Sequence, residues 1–123
     1  MAFHISTVKE EGFITIIISG SMAKADTQTI IQEVIEEIKR SKPQRVLIDL
    51  RKSRGRPGIA DTYMLVRDYP INTPRVKTAI VDLEENKEFT SFYESVAVNW
   101  GYPTRCFDSI DEAEKWLRSG TVS

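Results

Sequence analysis

Arg51-Lys52-Ser53-Arg54-Gly55-Arg56-Pro57-Gly58 gathers four cationic side chains around one hydroxyl within eight residues. In a chain of formal net charge −1 this is a local feature, not overall basicity. Guanidinium forks match the paired oxygens of phosphate or carboxylate, and the N-terminus of a following helix favours an anion. Gly55 and Gly58 would let backbone approach a ligand, and Arg67, further along that helix, adds charge. The segment reads either as an anion site formed by Arg51, Lys52, Arg54, Arg56 and Arg67 or as a solvated loop paired with surface carboxylates. A phosphate placed on Ser53 would meet Arg51, Arg54 and Arg56 and order the loop through charge-assisted hydrogen bonds.

The remaining reactive side chains offer less. Asp61, Asp68 and Asp82 supply carboxylates, but no base, nucleophile and orienting group stand at a diagnostic spacing, so no catalytic residue is assigned. His4 lies in an early strand-like segment. Cys106, beside Phe107, reads as a small buried hydrophobe, and alternation turns Arg105 to the opposite face. One His and one Cys cannot build a zinc site, and neither a metal nor a cofactor is expected. Tyr63, Tyr69, Trp100 and Tyr102 are candidates for an apolar contact surface, with Tyr63 and Tyr69 the two on the second helix; ordinary core packing is the favoured rival reading, and Trp100 and Trp116 are taken as core.

These groups need elements to position them. Phe3–Val8 and Phe13–Ile18, separated by Glu10-Glu11-Gly12, predict a hairpin. Ile30, Ile31, Val34, Ile35 and Ile38 form one helical stripe, with Asp26 or Thr27 as the expected cap and Pro43 beyond the end. Val46–Leu50 is almost wholly apolar, as a central strand covered on both faces would be. The basic loop follows, then a helix over 59–69 carrying Ile59, Tyr63, Val66 and Tyr69, apolar over more than one stripe. Such a helix implies a dimer interface or a ligand groove. Val76–Val81 is a strand, and Glu84-Glu85-Asn86 leads into a helix with Phe89, Phe92, Tyr93, Val96, Ala97 and Trp100, ended by Gly101 as a left-handed cap. Thr104–Phe107 is the last strand, and Ser109-Ile110-Asp111-Glu112 has the form of a capping box for a final helix. The order ββαβαβαβα predicts one α/β domain over 1–118, a mostly parallel sheet of about five strands with four helices, and a disordered tail over 119–123.

Bulk properties set outer bounds. A chain of 123 residues with 41% hydrophobic and 28% charged residues is a globular domain able to bury its own core. No apolar run approaches the roughly 20 residues that span a bilayer, and no secretory leader is visible, so cytoplasmic residence is expected. Near-neutral charge argues against a nucleic-acid partner.

The element order, the strand ending in Asp49, the loop with Ser53 and the closing Phe107-Asp108-Ser109-Ile110-Asp111-Glu112-Ala113-Glu114-Lys115-Trp116-Leu117 resemble the STAS superfamily. More narrowly, they resemble small stand-alone SpoIIAA-like bacterial proteins of the anti-sigma-factor-antagonist type. The resemblance covers the whole chain. It implies a non-catalytic, often dimeric regulatory module that binds a protein, such as a kinase or an anti-sigma-like factor. In that family a Ser or Thr at the start of the second helix is phosphorylated within an Asp-Ser-Ser-Gly-like motif. This sequence departs from the motif, because Ser53 is the hydroxyl residue of its loop and no Ser-Ser-Gly follows. Besides that protein-interaction reading stand two alternatives. One is a binding protein for a small anionic or amphipathic ligand (nucleotide, acyl chain or lipid) at the same crevice. The other is a small hydrolase or transferase.

Overall fold

The computed structural model describes residues 3–119. Five strands form one sheet in the order β1-β2-β3-β4-β5, with β1 Phe3–Glu10, β2 Phe13–Ser21, β3 Arg45–Arg54, β4 Lys77–Val81 and β5 Thr104–Phe107. The β1–β2 pair is the expected antiparallel hairpin, and its turn uses Gly12 at φ 89°. All later neighbours pair in parallel. Helices α1 (Lys24–Ser41), α2 (Ile59–Arg67), α3 (Lys87–Asn99) and α4 (Ile110–Arg118) alternate with the strands, and a 3-10 turn at Glu84–Asn86 leads into α3. The fold is the single α/β domain that the sequence implies; of the predicted tail, 120–123 lie outside the described residues.

Alternation along the strands divides the core in two. Ile14, Ile16 and Ile18 of β2, Val46 and Leu50 of β3 and Ile80 of β4 meet Ile30, Val34 and Ile38 of α1, with Phe89 and Tyr93 of α3 packed alongside. On the other face Phe13, Leu47, Ala79 and Val81 meet Ala113 and Leu117 of α4, flanked by Trp116. The two layers differ in closeness. α4 lies tightly on β3, β4 and β5, whereas the backbone of α1 stands off the sheet and makes its contact through long side chains.

The helix ends follow local chemistry. Ser109 caps α4 by accepting the Glu112 N–H at 3.3 Å, and Gly101, at φ 89°, stands just past α3. Three expectations need correction. Neither Asp26 nor Thr27 caps α1: Ala23 occupies the cap position, and the Thr27 hydroxyl donates back to the Ala23 carbonyl at 2.9 Å. α2 stops at Arg67, two residues short of Tyr69. Its interior stripe is Thr62 and Val66, while Ile59 and Tyr63 face outward. Trp100 is 42% exposed and not part of the core.

Candidate functional site

The most consequential difference lies in the basic segment. β3 does not end at Leu50 but runs through Arg54, so Arg51, Lys52, Ser53 and Arg54 are strand residues. The cause is β2, whose Ser19, Gly20 and Ser21 lie opposite Lys52, Ser53 and Arg54. The register shifts on the way: Ile17 faces Asp49 but Ser19 faces Lys52, so Leu50 and Arg51 together oppose Ile18 alone. This is a β-bulge, which frees backbone groups from the ladder and bends the strand.

The charged residues satisfy those freed groups. Asp49, buried, accepts the Arg51 N–H at 3.0 Å and takes the Arg51 guanidinium through two further bonds of 3.0 and 2.9 Å. Burial by itself would raise the Asp49 carboxyl, but the hydrogen bonds and charge of Arg51 outweigh it and hold the group below 3.8. The Leu50 carbonyl is taken by the Ser53 hydroxyl at 2.6 Å and by Arg56 at 3.1 Å. Ser53 is thus buried within the sheet, and phosphate transfer to it requires local opening of β2 from β3.

Arg56 continues the network. Its fork clasps Asp82, at the end of β4, through bonds of 2.9 and 2.8 Å, and its guanidinium lies 5.9 Å from the Phe89 ring centre. The pair is removed from water, with side-chain exposures of 8% and 1%. Asp82 also accepts the Leu83 N–H and the Asn86 amide, which fixes the turn before α3. Arg67, on the surface, pairs with its neighbour Asp68. Lys52 and Arg54 are left as the exposed cationic groups of the strand end. Gly55 sits at φ 83°, where glycine is at ease, but a Cβ there would meet the Met22 backbone at an ordinary 3.8 Å. Gly58, at φ −74°, has open space around it and no conformational need to be glycine.

The apolar candidates separate. Tyr63 is exposed on α2, as are Ile59 and Met64. Tyr69 turns inward, where its hydroxyl shares a 2.8 Å hydrogen bond with that of Tyr93 and its ring meets Tyr102 edge-on at 5.4 Å. Burial raises both phenols, Tyr93 to about 12. Burial likewise pushes the Cys106 thiol up to about 12, with its Sγ directed to the Thr90 carbonyl. That thiol carries no thiolate character near neutrality.

A cleft of about 800 Å³ lies between α1 and α2, and an apolar hollow of about 130 Å³ between those helices and the sheet; the sequence suggested a groove on α2 but not that α1 would form its other wall. None of Arg51, Lys52, Arg54, Arg56 or Arg67 lines either space. The expectation of an anionic ligand in one crevice shared by the cations and the apolar groups is therefore not met at these two spaces. The wide apolar span of α2 was the signal that pointed toward a groove.

No family model and no curated protein matches the chain. Two solved structures share its architecture. An anti-sigma factor antagonist from Mycobacterium paratuberculosis superposes with a TM-score of 0.64 at 13% identity over 95% of each chain. An uncharacterised protein from Shewanella loihica with a SpoIIAA-like fold gives 0.53 at 18% identity over 94% of each. At such identities the agreement concerns the backbone path, and on that ground the chain has a STAS/SpoIIAA-like fold.

Proposed function

We propose that the chain is a non-catalytic regulatory module that docks a protein partner through the end of β3 and the outer side of α2. The observation that carries this reading is a set of exposed apolar side chains on α2, closely following exposed cationic ones at the end of β3. Ile59, Tyr63 and Met64 are 61%, 44% and 46% exposed, and Lys52 and Arg54 are exposed on the strand leading to them. An aromatic with apolar neighbours inside a polar rim is the composition of a binding patch. The Arg56–Asp82 clasp gives that patch a rigid base by tying the β3–α2 connection to β4. The likeness to a protein named as an anti-sigma factor antagonist supports a regulatory role.

The partner this surface fits presents carboxylates around an apolar centre, in the manner of an anti-sigma-like factor or kinase. Affinity capture from the native host tests the reading. The wild-type chain should retrieve a partner that Arg54→Glu and Tyr63→Ala each lose by tenfold or more, with both variants folded by circular dichroism. Recovery of the same partner by both variants would remove this surface from the account. If the partner is a second copy of the chain, sedimentation of the purified protein will show a dimer that Tyr63→Ala dissociates.

A further inference from the structure

The α1–α2 side of the molecule holds a built space that meets the docking surface at Met64. The outer cleft and the inner hollow share Thr27, Ile31, Ile35, Pro57, Leu65 and Tyr69 as wall residues, so the two spaces adjoin. Inside, the hollow is faced by Val34, Ile48, Val76 and Ile80, with Phe89 and Tyr93 across from α1. Several of its polar groups are already occupied. The Tyr69 and Tyr93 hydroxyls hold each other, Thr73 donates to the Pro70 carbonyl at 2.6 Å, and Thr78 donates to the Val76 carbonyl at 2.9 Å. A hollow with such walls stays dry and accepts apolar matter.

The mouth has a different character. Among the described residues lining the cleft, Glu33 and Glu36 on α1 and Asp61 and Asp68 on α2 carry negative charge, against Lys39 alone. Asp68 is paired with Arg67, and Lys39, whose hydrogen bond to the neutral Asn72 amide leaves its charge intact, stands against two exposed α1 glutamates, so the rim remains net negative. A ligand with a carboxylate or phosphate head would bring like charge to them. From this geometry we infer that the cleft binds a small cationic amphiphile, an alkyl- or arylalkyl-ammonium whose tail fills the hollow and whose head rests among the rim carboxylates. A hollow of about 130 Å³ is close to the roughly 150 Å³ that holds a benzene ring, which corresponds to a tail of about six carbons. This inference can be tested apart from the docking surface, since of that surface's residues Met64 lines the cleft and Arg54 and Tyr63 do not.

Thermal-shift titration and amide chemical-shift mapping with n-alkylammonium chlorides, from butyl to octyl, and with the matching carboxylates test it. Hexylammonium should stabilise the protein saturably and shift amides of α1 and α2. Affinity should rise about fourfold per methylene up to six carbons and then level off. Hexanoate should bind at least tenfold more weakly. Leu65→Trp, which puts an indole at a half-buried position lining both spaces, should abolish binding. The exposed pair Glu33→Lys and Glu36→Lys should weaken hexylammonium at least tenfold without unfolding the chain. Equal or better binding of hexanoate, no dependence on tail length, or no binding by either series would overturn the inference. Arg54→Glu should bind hexylammonium as the wild type does, so that failure here and failure of the docking surface are distinguishable.

Discussion

Arg56 and Asp82 meet at a place where neither is solvated, so the worth of each depends on the other. Taking a carboxylate and a guanidinium out of water costs several kcal/mol per ion, recovered only where the pairing is bidentate and the remaining lone pairs are satisfied. Both conditions hold, since Asp82 also receives the Leu83 N–H and the Asn86 amide. Arg56→Met should therefore cost about 3–5 kcal/mol by leaving a buried carboxylate unpaired. Adding Asp82→Asn should return part of that loss, because the amide oxygen still accepts the Leu83 N–H and carries no charge. Urea denaturation of the single and double variants checks this; a cost under 1 kcal/mol for Arg56→Met would mean the clasp is not what holds the β3–α2 connection. Sequence could place Arg56 in a cationic cluster, but its partner stands 26 positions away at the end of another strand. Local charge patterning cannot distinguish a residue aimed at ligand from one aimed at a distant carboxylate. Ser53 is the same case in smaller form: a hydroxyl among arginines invites a phosphate, and only the bulge reveals that it already serves the Leu50 carbonyl.

At the scale of elements, β3 shows how a sheet overrides a polar sequence. Val46–Leu50 announces itself by composition, and its pairing between β2 and β4 follows. The next four residues carry charge and read as loop, yet β2 supplies a template that extends the ladder through Arg54. The bulge absorbs the extra residue, and Asp49 with Arg51 holds it. That pair makes a pH-dependent contribution of definite sign. The Asp49 carboxyl titrates below its ordinary 3.8 in the folded chain, so its stabilisation is complete above that value and drains as the pH falls through the folded-state titration. Arg51→Ala leaves the burial of Asp49 less opposed and should cost about 1 kcal/mol at pH 7, a modest figure because the Arg51 side chain is 40% exposed. Below about pH 4 the difference between wild type and variant should shrink toward zero. Denaturant midpoints collected from pH 3 to 7 would show it, and a gap that stays constant over that range would contradict the assignment. Elements with explicit end signals, such as α4 and β5, were legible almost residue for residue, and the periodicity of α1 gave its buried stripe though not its first turn. α2 was not, because Ile59 and Tyr63 repeat at core spacing while the core takes Thr62 and Val66 instead.

Across the whole molecule the two layers on the sheet are packed to different densities, and this property has no local sequence signal. Isoleucine-rich α1 looks like an ideal cover, yet its backbone stands off the sheet and a hollow of about 130 Å³ remains beneath it. The opposite layer, with Leu47, Ala79, Val81, Ala113 and Leu117 essentially inaccessible, has α4 lying close on the strands. The same enlargement should therefore have opposite effects on the two sides. Val34→Ile, on the wall of the hollow, adds one methylene to available space and should raise stability by about 0.5–1 kcal/mol, near the transfer value of that group. Val81→Ile, fully buried against the α4 layer, forces the same group into filled space and should lower stability by about 1–3 kcal/mol. Chemical denaturation of both variants at constant slope settles the comparison. If Val34→Ile is as destabilising as Val81→Ile, the space under α1 is closed in solution, and it then has no room for a ligand either.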